Sequence, residues 1–265
     1  MPNYYPESIA NLIEARKEIF HSTISITNRN TLVPGGNYLT TCWYKIPNII
    51  SLFVDIRWST ELSASSHHEK TTAAIYEFFT GTAIRIFHEM WAEYIDIKWD
   101  WVFALFSSNK IHTAFAAAIT FKTFAEKTFK PLVDRKLSNE VNIGYHMWMD
   151  QKTVLVKQLW LKDSEWRDSR KNEVRAWKPI NMSAKLASLS NDWELFVSDR
   201  FYNNLSTSDL VHKSCWCSEE AILREDYDTT NNKKFDFNWV KVLKTIWCEK
   251  CWKDYCRAII ALDNV

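Results

Sequence analysis

The chain has 265 residues, enough for one sizeable core or one domain with appendages. Lys and Arg total 33 against 32 Asp and Glu, so there is no basic field of the kind that draws nucleic acid or an anionic membrane. No apolar run approaches the ~18–20 residues that cross a bilayer, and the stretch from Met1 to Phe20 lacks the charged-then-apolar order of a signal peptide. A cytoplasmic protein is expected, with its six Cys reduced or metal-bound.

Residues 1–45 read as a helical leader, Pro6 to Ser22, and a loop carrying Pro34, Gly35 and Gly36. Ile49–Asp55 is a nearly continuous apolar run, the pattern of a strand buried on both faces. It ends in Asp55, a carboxylate that is costly to desolvate unless a cation meets it. The turn that follows carries Arg57, Ser59 and Thr60, donors of the kind that hold phosphate oxygens. An isolated Asp at a strand end is more often a turn or cap residue; a second carboxylate nearby would point to a metal.

From His68 to Met90 the apolar residues recur at three- and four-residue steps, which predicts a helix with one buried face. Ala92–Ile97 and Val102–Phe106 are strand-like, and the Lys98–Trp101 spacing between them predicts a hairpin. A second amphipathic helix is expected over Asn109–Phe129, with Ile111, Ala114, Phe115, Ala118, Ile119 and Phe124 on one side. Val141, Ile143, Tyr145 and Met147 alternate as a half-buried strand, and Thr153–Leu159 follows as another. Beyond a polar loop (Lys162–Asn172), Pro179–Leu189 reads as a helix and Glu194–Ser198 as a last strand.

This order, β-α-β-β-α-β then β-α-β, predicts an α/β (α+β) fold, ferredoxin-like with added strands, over 46–205. If the first two strands lie side by side, Asp55 and the hairpin's Asp100 share one sheet edge. Two carboxylates there repel unless cations sit between them, and a pair of divalent ions ~3.5–4 Å apart is the usual solution in phosphoryl transfer. Residues 206–265 form a Cys-rich tail with CxC at Cys215 and Cys217 and CxxC at Cys248 and Cys251, flanked by His212 and Cys256. Paired thiols at this spacing can build a tetrahedral Zn²⁺ site; the alternative is reduced structural Cys.

Three segments now carry a resemblance. FVDIRWSTELS (53–63), YIDIKWDWVFALF (94–106) and NEVRAWKPINMSAKLASL (172–189) are similar, in order and spacing, to the two metal signatures and the third signature of class III nucleotide cyclases. The DIR-ST form, the KPINM-AKL segment and the Cys-bearing tail resemble the bacterial pyrimidine cyclases of the Pycsar antiphage defence system. The resemblance implies that Asp55 and Asp100 hold two Mn²⁺ or Mg²⁺ ions, with the Ile56 carbonyl as a further ligand. It implies that Phe53 and the turn Arg57, Trp58, Ser59 and Thr60 meet the nucleoside triphosphate. Asn181 and Lys185 would be catalytic, Lys185 standing where the family usually has Arg. The ribose 3′-OH would attack the α-phosphorus and pyrophosphate would leave. Asn and Arg come from the second subunit in this family, so a homodimer with shared sites is implied.

The base-reading positions fall at Asp96 and at Glu173 or Val174, which match neither the adenine nor the guanine pattern; UTP or CTP is implied, with UTP favoured, and a purine cyclase is the alternative. Composition carries one anomaly, 14 Trp against 4 Gly, where Gly averages about 7 %. Trp58, Trp99, Trp101, Trp148 and Trp177 stand where the family has, or a turn wants, Gly, and Trp91, Trp160 and Trp193 stand at turn-like places. Such consistency reads as Trp replacing Gly over an otherwise intact cyclase. Taken at face value, it implies an impaired, cyclase-like nucleotide-binding module as the second alternative.

Overall fold

A computed structural model describes residues 7–33, 42–57, 59, 62, 69–98, 100–138, 143–160, 171–176, 194–205, 208–213, 215–217, 224–231 and 235–264. Helix α1 (Glu7–His21) and strand β1 (Ile26–Asn28) lead into β2 (Trp43–Arg57), the strand on which the sheet is built. Every residue from Ile49 to Val54 is buried, as the apolar run predicts. Ile50, Leu52, Val54 and Ile56 point into the cluster under the helices, while Ile49 and Phe53 belong to a second cluster on the opposite face. Pro47 and Asn48 fall at a register shift between Ile46 and Ile49, where Asn48 takes φ 55°. A bulge is the place where a strand tolerates Pro.

After α2 (Glu69–Glu89), β3 (Tyr94–Lys98) and β4 (Trp101–Phe106) form the expected hairpin, with Lys98 opposite Trp101. The sheet order is β3-β4-β2-β5-β7-β9-β8. The expectation that the first strand lies beside the 92–97 strand is therefore corrected: β4 stands between them. The reason is burial. VFALF is buried throughout and takes the inner place, whereas β3 carries Asp96 and Lys98 and stays at the edge.

The two strands expected from Val141 to Leu159 are one, β5 (Gly144–Trp160). Its first half is buried on both faces rather than one. Asp150 and Gln151 do not break it because each is satisfied. Arg200 donates to both Asp150 carboxylate oxygens at 2.6 and 2.5 Å, and Asn204 donates to Gln151 at 2.7 Å. Strand β6 (Lys171–Ala176) pairs with the far end of β5. The helix expected at Pro179–Leu189 lies outside the described residues.

Strand β7 (Glu194–Ser198) is not the last. The tail adds β8 (Arg224–Asp228) and β9 (Trp239–Leu243) to the same sheet. Helix α5 (Asp199–Leu205) follows β7 directly.

Helix α3 (Ile111–Phe124) runs through a π-helical turn, Ala125–Phe129, into α4 (Lys130–Lys136), so the predicted helix continues past Phe129. It is not one-sided: His112, Thr113 and Lys122 are buried too, with Lys122 paired to Glu126. The tail helix α6 (Trp252–Ala261) covers its outer face. Past α6, the Asp263 carboxylate accepts from the His112 and Thr113 backbone N–H groups at 2.9 and 2.7 Å and from His112 Nδ1. It caps the first turn of α3 from the other end of the chain. Burial pushes the Asp263 carboxyl up, but these hydrogen bonds outweigh it and hold the group below its ordinary range.

The end of α2 explains one of the misplaced tryptophans. Ala92 N–H donates to Phe87 O and Trp91 N–H to His88 O, the paired bonds of a Schellman cap, and Trp91 holds φ 55° with its ring exposed. That position is built for glycine; an L-residue in the left-handed region loses ~1–2 kcal/mol. Trp91→Gly is expected to raise the unfolding free energy by about 1 kcal/mol, read as a higher thermal midpoint; an unchanged or lower midpoint contradicts the assignment.

Candidate active site

Asp55 stands at the end of β2 with its cross-strand neighbours set by register: Trp101 on β4 to one side, His146 on β5 to the other. The hairpin is fastened to the same place. Ile56 N–H donates to the Asp100 main-chain carbonyl at 3.1 Å, and Ser59 Oγ donates to Asp100 Oδ2 at 2.5 Å. Asp55 and Asp100 are thus brought together by two independent routes, the antiparallel pairing of β2 with β4 and the turn after β2.

Asp55 Oδ1 is buried and has no hydrogen-bond partner among the described residues. Burial first, and then the Asp100 carboxylate, push the Asp55 carboxyl up to about 7, against the lowering effect of the Ile56 backbone N–H. A buried, unpaired carboxylate oxygen beside a second carboxylate is a poor arrangement for the protein alone and a good one for a hard divalent cation. The residues present fit Mg²⁺ or Mn²⁺, which favour oxygen ligands.

The other expected site residues divide into groups. Phe53 is buried on the same sheet face as Asp55, its ring 5.4 Å from that of Trp101. Arg57 closes β2 opposite Gly144. Trp58 and Thr60, like Asn181 and Lys185, lie outside the described residues. Asp96 sits on the edge strand β3, its Oδ1 accepting from Ile97 N–H at 2.9 Å. Val174 sits on β6 opposite Lys157. Cys215, Cys217, Cys248 and Cys251 converge in the tail, their sulfurs all within 4.8 Å of one another. His212 is not with them; its Nδ1 lies 3.5 Å from the Tyr202 hydroxyl.

Sequence reasoning missed two residues. His146 is directly across from Asp55, and Glu194 directly across from His146 on β7, so Asp55, His146 and Glu194 form a row over three adjacent strands. Nothing in the spacing of these residues along the chain points to the row. It exists only once β5 is paired with both neighbours in register. Trp101 and Trp148 occupy the same face, flanking Phe53, and Trp148 is buried with no hydrogen-bond partner for its indole Nε1 among the described residues.

No protein-family model matches the chain. A protein of Propioniciclava tarda named uridylate cyclase is 30% identical over 222 residues, which cover 83% of this chain and 70% of that protein. A uridylate cyclase of Micromonospora echinofusca is 27% identical over 230 residues, 82% of this chain and 71% of that one. Among solved structures, the adenylyl cyclase CyaB from P. aeruginosa superimposes with a TM-score of 0.56 at 16% identity, covering 76% of this chain and 94% of that one. That likeness shows the fold, a mixed sheet with helices on one face in the class III arrangement. With sequence identity of this extent over most of both chains, the chain belongs to the class III nucleotide cyclase family, in company with the uridylate cyclases.

Proposed function

We propose that the chain is a cytoplasmic pyrimidine nucleotide cyclase, converting UTP, or CTP, to the 3′,5′-cyclic monophosphate and pyrophosphate as a second messenger in antiphage defence. The observation that carries the reading is the convergence of Asp55 and Asp100, with Asp55 Oδ1 buried and unpaired among the described residues. Pyrimidine choice is supported by the two uridylate cyclases at 27% and 30% identity. No helix of the described residues is long and apolar enough to cross a membrane.

In this reading Asp55, Asp100 and the Ile56 carbonyl hold two Mn²⁺ or Mg²⁺ ions. Bound there, such ions supply a lowered hydroxyl pKa and neutralise triphosphate charge. The protein's own part is positioning. Ser59 fixes the Asp100 carboxylate through its 2.5 Å hydrogen bond, and Ile56 N–H fixes the hairpin backbone. The turn Arg57–Thr60 offers donors to the phosphates, and Asn181 with Lys185 steadies the ribose and the developing charge.

The two base-reading positions lie far apart within one chain. Through the register, Asp96 aligns with Trp148 on β5, while Val174 aligns with Lys157, nine residues further along. At ~3.3 Å per strand residue that separation is about 30 Å. If Asp96 and Val174 read one base, they come from different subunits, which supports a homodimer with sites at the interface. A second reading, an impaired nucleotide-binding module, is favoured by Trp101 directly opposite Asp55 and by buried Trp148.

Incubation with Mn²⁺ and each of ATP, GTP, CTP and UTP separates these readings. Cyclic UMP or CMP is expected, reduced by about two orders of magnitude or more in Asp55→Ala and Asp100→Ala. Cyclic AMP or GMP would overturn the base assignment, and binding without any product would leave the module reading.

The raised Asp55 pKa makes a separate prediction. A carboxyl whose folded pKa lies above its unfolded value stabilises the fold fully at low pH and loses that contribution as pH rises through the folded value. Chelated protein should therefore lose stability between the ordinary carboxylate range and about pH 7. Asp55→Asn should lack the drop, and Mn²⁺ added at pH 8 should reverse it. A flat thermal midpoint for the unmodified protein across this range would contradict the burial argument.

A further inference from the structure

We propose that Cys215, Cys217, Cys248 and Cys251 bind a structural Zn²⁺ in an all-thiolate tetrahedron, and that this ion clamps the tail onto helix α3. Cys217 Sγ lies 3.4 Å from Cys215 Sγ, 3.3 Å from Cys248 Sγ and 3.6 Å from Cys251 Sγ. A disulfide needs about 2.05 Å, so these are not bonded pairs. A Zn–S bond of about 2.3 Å places tetrahedral sulfurs ~3.8 Å apart, close to the spacing found. The backbone N–H groups of Lys250 and Cys251 point at the Cys248 sulfur, the support a metal thiolate receives in a CxxC knuckle. Sulfur ligands select Zn²⁺ over the hard cations suited to Asp55 and Asp100, so the two sites are chemically distinct.

The two halves of the cluster belong to segments that need joining. Cys215 and Cys217 follow the 3-10 turn Asp209–His212, while Cys251 immediately precedes α6. On one side of the CxxC, Trp247 donates to Thr123 Oγ1 at 2.9 Å and, through Nε1, to Thr120 Oγ1 at 2.8 Å, both on α3. On the other side, α6 buries Tyr255, Cys256 and Ile259 and delivers Asp263 to the α3 N-terminus. Tyr255 OH crosses back to the carbonyls of Leu210 and Lys213. The ion closes this loop where the four thiols meet. Without it, four sulfurs are held in contact by nothing but their neighbours.

Protein made in zinc-supplemented medium and kept reduced should carry one Zn²⁺ per chain. Cys217→Ser and Cys248→Ser should lose it, and Cys42→Ser should keep it. Removing the ion should speed hydrogen exchange at the His112 and Thr113 amides. Should the Cys variants fail to fold, Co²⁺ exchanged into the unmodified protein decides the matter: intense thiolate-to-cobalt charge-transfer bands are expected, which oxygen ligands at Asp55 do not give. Absence of those bands, or native protein in which all six thiols react freely, would overturn the proposal.

A different observation carries a second inference. We infer that Trp91 and Trp148 are glycine positions, filled by glycine in the organism that encodes the chain. Trp91 holds φ 55° in a Schellman cap. Trp148 leaves a buried indole N–H with no partner among the described residues. Against these stand 14 Trp and 4 Gly in the whole chain. Peptide mass mapping of the protein from that organism tests it directly: glycine masses at these positions are expected, and tryptophan masses would overturn the inference.

Discussion

The arrangement on which the rest depends is the burial of one carboxylate at the end of an otherwise apolar strand. Asp55 sits between β4 and β5, one oxygen unpartnered among the described residues, with the Asp100 hairpin pinned to the residue beside it. A fold selected for stability alone would place an apolar or paired residue there. The strain is tolerable because the strand around it is buried on both faces and hydrogen-bonded on both sides, so the position cannot relax outward to water. What the protein alone leaves uncompensated, a divalent cation would compensate.

The same logic of compensation runs through the polar interior. Asp150 would interrupt β5 were it not held by Arg200, and Lys122 would not sit inside α3 without Glu126. Breaking one partner of such a pair leaves a buried charge, which is why these pairs specify one arrangement of the elements even where they add little net stability. The contrast with Asp55 is direct. Its interior neighbours are satisfied by protein groups, and it is not.

The tail has the character of a lid closed from beneath. Its strands extend the sheet, its helix covers α3, and its last carboxylate caps that helix's first turn. The tail reaches both faces of the sheet: α6 packs on α3 on one side, and Phe237 stacks on Trp148, in the cluster that holds Phe53, on the other.

Much of this was legible in the residues. The apolar run ending in Asp55, the hairpin around Asp100 and the paired cysteines are local patterns, and local patterns follow from burial and turn geometry that the chain carries with it. The three ordered signatures identified the family for the same reason: each is a short segment whose chemistry is contained in itself. What only the tertiary structure decided were the pairings. Whether β3 or β4 lies beside β2 depends on which of two adjacent strands gains more from burial, a comparison between distant neighbours. The row of Asp55, His146 and Glu194 depends on the register of three strands, and a shift of one residue would turn each side chain to the other face. Strand β8 reads as surface because REDYD is polar; it becomes a strand only because β9 presents an open edge. Local sequence specifies what a segment can be, and the competition among segments for the same buried places settles where it goes.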